Sequence, residues 1–248
     1  MTCDIFIRTW KPDLGWLRYA LAFLAKNWGD TSRIFVIAND DCREECQTWG
    51  GPAEFVFVQA WRDTHEFKCY LTLMSEGLGD ADLIFNLDSD HMLLKRSTLA
   101  DFLHEGRPII YYQPQSEMGD YLGIRLYNPI LLHWFGQLPT CSYMLLPPFV
   151  YLRSTIRGVR ELIERRSGKS LRDTLYSERP FHWHRFVEHP KQFPDFEMCG
   201  FFADRFENAK YYFRNPHRDG ADQRVKAYHS WSQWTPETRT ELDRLLAE

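Results

Sequence analysis

Apolar residues recur along this chain in two rhythms. Short continuous runs alternate with longer stretches whose period is near 3.6. The runs at 3–10 (Cys-Asp-Ile-Phe-Ile-Arg-Thr-Trp), 33–38 (Arg-Ile-Phe-Val-Ile-Ala), 54–58 and 82–87 (Asp-Leu-Ile-Phe-Asn-Leu) predict buried strands. Between the first two, Leu14, Leu17, Leu21 and Leu24 share one face of a helix over 13–28. A helical turn at 41–48 leads to Gly50-Gly51-Pro52, and 64–78 favours a helix closed by Gly77 and Gly79. Strands alternating with helices predict an α/β fold: a mostly parallel, twisted sheet with helices on both faces.

The second half is less regular. A strand is expected at 108–113, and the Gly-, Pro- and aromatic-rich stretch 113–148 reads as loops lining something. Residues 153–167 predict an amphipathic helix with Ile156, Val159 and Ile163 inward and arginines outward. A short helix at 195–206, strands at 210–213 and 224–231, and a polar helix at 236–247 complete the pattern. There is no repeat, low-complexity tract or linker, so the 248 residues read as one structural unit.

Composition narrows the function classes. No window approaches the ~20 apolar residues of a membrane span, and Met1-Thr2-Cys3-Asp4 lacks the basic and apolar regions of a secretory leader. Cys3, Cys42, Cys46, Cys69, Cys141 and Cys199 are scattered without a Cys-x-x-Cys pair, which predicts free thiols in a reducing cytoplasm rather than a disulfide or zinc framework. Charge is unevenly spread. Residues 1–150 carry 12 basic and 19 acidic side chains, and residues 151–248 carry 18 and 15. Arg153, Arg157, Arg160, Arg165, Arg166, Lys169 and Arg172 concentrate the excess, as a solvated helix face or as a surface for an anionic partner.

The chemistry concentrates at Asp88-Ser89-Asp90, where the apolar run 82–87 ends. On an extended strand, side chains i and i+2 share a face. The two carboxylates would then point together into the crevice where open α/β sheets bind ligands. Hard oxygen donors suit Mg²⁺ or Mn²⁺ beside a substrate phosphate; the alternative is an Asx turn with solvated acids. Gly168-Lys169-Ser170 imitates the tail of a phosphate loop, but Ile163 stands where the upstream glycine is required. Neither a Gly-x-Gly-x-x-Gly nor a Gly-x-Ser-x-Gly motif is present, which speaks against dinucleotide binding and an α/β-hydrolase.

A first strand and helix without a glycine loop between them, a strand ending in Asp-x-Asp near residue 90, and a late histidine on a carboxy-terminal strand together resemble GT-A-fold glycosyltransferases. The resemblance covers most of the chain in layout and only short stretches in residues. It implies a nucleotide-sugar-binding half at 1–112 and an acceptor-binding half at 113–248. By this resemblance Asp90 ligates Mn²⁺ or Mg²⁺, and Asp88 touches the ribose, or the metal through water. His229, in Ala227-Tyr228-His229-Ser230-Trp231, completes the metal shell, with His217 a weaker competitor. Lys68 reaches the diphosphate, Thr9 and Trp10 grip the base, and Asn39 and Asp40 read uracil or ribose. A surface role for Lys68 and a core role for Trp10 are the competing uses of those residues.

An inverting enzyme of this kind also needs a base about a hundred residues beyond the Asp-x-Asp. Asp195 and Glu197, in Phe193-Pro194-Asp195-Phe196-Glu197-Met198-Cys199-Gly200, fall there, with helix N-terminal charge as the alternative role. The implied donor is a nucleotide-diphospho-sugar, a UDP-sugar for preference. The acceptor is a saccharide or a hydroxymethylated DNA base. A catalytically silent nucleotide-sugar-binding module and a metal-dependent phosphohydrolase are the rival functions.

Overall fold

A computed structural model of the chain describes residues 1–49, 51–59, 64–119, 122–177, 194–228 and 234–248. Its centre is a five-stranded sheet built from β1 (Cys3–Thr9), β2 (Ile34–Asn39), β3 (Ala53–Val58), β4 (Leu83–Asp88) and β7 (Phe149–Leu152). The order is β7-β4-β1-β2-β3, with the first four strands of the sequence parallel and β7 antiparallel at the β4 edge. The chain builds outward from β1 through β2 to β3, then returns to place β4 on the other side of β1. The carboxyl ends of β1 and β4 therefore flank a topological switch point, where open α/β sheets form a ligand crevice.

β1 is buried along its whole length because both faces are covered. Alternation sends Ile5 and Ile7 with Val36, Phe85 and Leu87 toward α1 (Leu14–Asn27). The opposite face carries Phe6, Phe35 and Ile84. It packs against α2 (Thr64–Met74), α4 (Arg153–Ser167) and α6 (Asp195–Phe206) through residues such as Leu71, Ile156 and Phe196. The other side of α1 presents Trp16, Ala20 and Phe23 to Leu242 of α7 (Pro236–Ala247). Beyond β4 the chain forms β5 (His91–Leu93), antiparallel to β9 (Val225–Ala227), and β6 (Arg107–Tyr111), parallel to β8 (Tyr212–Arg214). All six cysteines are free thiols and all but Cys141 are buried. Among the described residues no helix is long and apolar enough to cross a membrane.

One stretch corrects the sequence expectation. Residues read as loops contain α3 (Leu122–Phe135), followed by the short strand Cys141–Ser142 paired with Gln113–Pro114. Pro129, inside α3, signals a break in the sequence. Tyr127, Ile130, Leu131, Trp134 and Phe135 nevertheless follow the i, i+3, i+4, i+7, i+8 spacing and pack into the core. Tertiary burial outweighs the local cost of the proline. α5 (Leu171–Ser177) follows α4 after Gly168, whose φ of 67° closes that helix in the left-handed conformation.

Two buried carboxylates hold distant segments together. Asp4, on the same face of β1 as Phe6, accepts from Arg153 Nη2 at 2.8 Å and from the Ala81 amide at 3.1 Å. The remaining Arg153 donors satisfy the carbonyls of Glu76, Leu78 and Ala81, so one guanidinium closes the turn that leads into β4. Glu197 Oε2 accepts from Ser142 Oγ (3.1 Å) and from the amides of Tyr143 (2.8 Å) and Met144 (2.9 Å), tying α6 to the 142–144 segment. Burial pushes the Glu197 carboxyl up to about 7 from 4.5, against the opposing pull of those donors.

Arg153→Leu should lower the unfolding free energy by about 3–5 kcal/mol in a urea titration, because it strands the buried Asp4 charge. Arg157→Ala, which removes a half-exposed partner of Glu76, should change it by under about 1 kcal/mol. Equal losses in the two variants would contradict this account. Glu197 generates a pH prediction. Its folded carboxyl holds the proton more firmly than the unfolded chain does, so its contribution is complete below about pH 4.5 and is lost as pH rises through about 7. Glu197→Gln, neutral at every pH, should flatten the fall in stability across that window by about 3 kcal/mol. Parallel wild-type and variant profiles would refute it.

Candidate active site

The parallel register places Arg8 directly beside Asp88, both on the α2/α6 face of the sheet. The Arg8 guanidinium donates through Nε and Nη2 to the two oxygens of Asp88, and through Nη1 to Asp195 at the start of α6. Nη1 also reaches Thr72 Oγ1 at 2.8 Å and the Lys68 carbonyl at 3.2 Å, both on α2. Thr72 Oγ1 in turn donates to Asp195 Oδ2 at 2.5 Å. The Phe196 ring lies 4.5 Å from Arg8 Cζ and is stacked on Phe149 with centroids 3.9 Å apart. One buried cation thus joins the sheet edge to two helices.

Burial would disfavour the charge on Arg8, yet Asp195 and Asp88 hold it firmly protonated. Burial likewise pushes the Asp88 carboxyl up, but Arg8, and then Lys68, more than offset it and hold Asp88 well below the usual carboxylate range. Asp88 is therefore held as the anion near neutral pH.

The chain leaves β4 through a turn at Ser89-Asp90 before β5 begins at His91. It is this turn, not the strand pleat, that brings the two carboxylates together. Single ligand atoms of Asp88, Asp90 and His91 lie within 4.8 Å of one another. Asp88 keeps 19% of its side chain exposed and Asp90 15%, so the pair opens toward solvent while Arg8, at 7%, stays beneath it. The Asp88 amide donates to His91 Nδ1 at 3.1 Å. A backbone N–H can only donate, so Nδ1 accepts and the proton of the neutral ring sits on Nε2. Burial depresses the His91 pKa and keeps the ring neutral. Nε2 lies 3.9 Å from Asp90 Oδ1, beyond hydrogen-bond distance.

These donors fit a hard divalent cation. Arg8 uses two of the roughly four lone-pair sites on the Asp88 carboxylate, which leaves others for a metal. Asp88 and Asp90 supply ionisable oxygens of the type Mg²⁺ and Mn²⁺ prefer, with room for phosphate or water in the remaining positions. The His91 Nδ1 lone pair is already committed to the Asp88 amide and Nε2 carries the proton, so the ring in this arrangement offers no third bond to a cation.

The other residues singled out in the sequence lie at varied distances from this pair. Trp10 leaves β1 beside β4. Its indole N–H donates to Asp13, which also accepts from Ser89 Oγ at 3.4 Å, so Asp13 links Trp10 to the Asp88–Asp90 turn. The Lys68 ammonium sits 5.9 Å from the Trp10 ring. Thr9 is buried. Asn39 ends β2 one strand further out, half-buried, and the exposed Asp40 pairs with Arg43 at 2.6 Å. Asp195 joins the site through Arg8, whereas Glu197 faces the 142–144 segment; successive odd positions on a helix point in opposing directions. His229 lies outside the described residues. The preceding residue, Tyr228, donates its amide to the Asp90 carbonyl at 2.8 Å, so β9 delivers the chain beside Asp90.

Sequence reading missed Arg8, Thr72 and Asp13. The signal for Arg8 was present: a guanidinium within an otherwise apolar strand must find an anion. Its second partner lies 187 residues away and could not be named. The basic α4 segment is largely spent internally. Arg153 binds Asp4, Arg157 and Arg160 bind Glu76, and Arg166 Nη1 donates to the His133 carbonyl.

No protein-family model matches this chain, and no curated protein matches it. Solved structures do. An active-site mutant of LgtC matches with a TM-score of 0.52 at 14% identity, over 97% of this chain and 95% of that one. The 4-diphosphocytidyl-2C-methyl-D-erythritol synthase of Anaerococcus prevotii matches with a TM-score of 0.49 at 12% identity, covering 100% and 96%. The apo-form glycosyltransferase GlyE of Streptococcus pneumoniae matches at 0.48 and 10%, over all of this chain and 61% of that one. At these identities the likeness to LgtC speaks to architecture alone. With the sheet order, the switch point and the Asp88-Asp90-His91 group, it establishes that the chain has a GT-A-like fold.

Proposed function

We propose that this protein is a metal-dependent glycosyltransferase. It moves a sugar from a nucleotide-diphospho-sugar, a UDP-sugar for preference, to an acceptor hydroxyl with inversion. The observation that carries the reading is the Asp88/Asp90 pair, converging by a turn at the switch point of the sheet with Lys68 and Trp10 beside it. Asp88 and Asp90 would hold Mn²⁺ or Mg²⁺, with His229 proposed as a further ligand. Bound there, the cation supplies Lewis-acid neutralisation of the leaving diphosphate.

The chain's own groups divide the remaining work. Trp10 offers a flat face for the nucleobase, held in place by its bond to Asp13. Lys68 adds a positive charge for the diphosphate, and Thr9, Asn39 and Asp40 line the same sheet edge for base and ribose. The acceptor proton is assigned to Asp195 or Glu197. Asp195 is bound by Arg8 and Thr72, and Glu197 by the 142–144 donors, so either must release a partner to act as base. A saccharide is the preferred acceptor over a modified DNA base, because the α4 arginines are largely satisfied within the protein.

Calorimetric titration with UDP, GDP and CDP should show binding that requires Mn²⁺, and Asp90→Ala should weaken it at least tenfold with an unchanged circular dichroism spectrum. Slow Mn²⁺-dependent hydrolysis of one nucleotide sugar from a UDP-, GDP- and CDP-sugar panel should identify the donor. No metal-dependent nucleotide binding would reject the function. Donor binding without transfer or hydrolysis would favour the silent module.

A further inference from the structure

Arg8 creates an electrostatic problem for any cation bound at Asp88. A full positive charge lies in contact with the very carboxylate that must attract a divalent ion, and at 7% exposure water screens it poorly. The structure answers with a second anion. Asp195, itself 7% exposed at the side chain, binds the same guanidinium from the far side and is fixed there by Thr72. Arg8 is held from three elements at once, through Asp88 on β4, Lys68 and Thr72 on α2, and Asp195 and Phe196 on α6. It cannot swing away when a metal arrives.

We propose that Asp195 is a positioning residue that sets the metal affinity of the site by balancing Arg8. With Asp195 charged, its negative charge cancels that of the guanidinium, and Asp88 keeps its own for the cation. With Asp195 neutral, Arg8 and Asp88 cancel each other, and the divalent ion meets an arm with no net charge. Asp195 acts through Arg8, which stands between it and Asp88. The inference rests on the proposed metal site at Asp88 and Asp90, and it gives Asp195 a task independent of proton transfer.

The test is the Kd for Mn²⁺ alone, read by calorimetry on folded protein at pH 8, for the wild type, Asp90→Ala, Asp195→Asn, Arg8→Gln, and the Arg8→Gln/Asp195→Asn double variant. Asp195→Asn keeps the shape of the side chain and one acceptor oxygen for Arg8 and Thr72, and removes the charge. It should weaken Mn²⁺ binding at least tenfold, the size of effect typical when a group supporting a metal ligand is lost. The same comparison is repeated without Arg8. There Arg8→Gln should bind Mn²⁺ at least tenfold more tightly than the double variant, because Asp195 then adds an uncompensated negative charge. If Asp195→Asn fails to fold, this second pair decides the matter. Kd values within threefold of each other across either pair would overturn the inference, as expected if Asp195 served only as a base or as a structural tie. Wild-type protein that binds no Mn²⁺, or binds it no better than Asp90→Ala, would instead reject the metal site itself.

Discussion

A single buried guanidinium organises this molecule at its functional edge. Taking an arginine out of water costs several kcal/mol unless anions and hydrogen-bond acceptors surround it. Arg8 is surrounded by two carboxylates, a hydroxyl, a carbonyl and an aromatic face. Those partners come from β4, α2, α6 and β7 by way of the Phe196–Phe149 stack. The alternative to this arrangement is an unpaired buried charge, so the positions of Asp88 and of the start of α6 are tightly specified. The opposite end of β1 repeats the device. Asp4, four residues earlier and on the same face, pairs with Arg153 and closes the turn into β4. The strand at the middle of the sheet is thus pinned at both ends by ion pairs of opposite polarity.

The turn after β4 converts that rigidity into a site. Asp88 is fixed from below, and its amide, donating to His91, fixes the ring beside Asp90. Asp13 holds Ser89 within the turn and Trp10 beside it. Asp88 and Trp10 each have a partner that restricts their motion, which lowers the entropy lost on binding. The site also carries an excess of acids: Asp13, Asp88, Asp90 and Asp195 lie around Arg8 and Lys68, which leaves net negative charge for a cation.

Much of the layout could be read from residue order. The four parallel strands follow from continuous apolar runs, since a strand covered on both faces has no polar side to show. The acids at the end of β4 were legible because a buried strand that stops at Asp-Ser-Asp sets two carboxylates at the carboxyl edge of the sheet. The cause of their convergence was not legible, because pleat and turn make the same sequence. α3 was hidden by Pro129, whose local cost is overruled by the burial of Ile130, Leu131, Trp134 and Phe135. Arg8 could be seen as needing a partner, but Asp195 reaches it only through the folding of the whole chain. Asp195 and Glu197 read alike as acids two apart. The helix turns them to different partners, one to the sheet edge and the other to a strap of backbone amides.

The most direct measurement is diffraction at the manganese edge from crystals grown with Mn²⁺ and UDP. The account predicts one strong anomalous peak within coordination distance of carboxylate oxygens from both Asp88 and Asp90, with the diphosphate on its far side and Arg8 still bound to Asp88. A peak elsewhere, or a diphosphate ordered away from the end of β4 with no ion between, would contradict it.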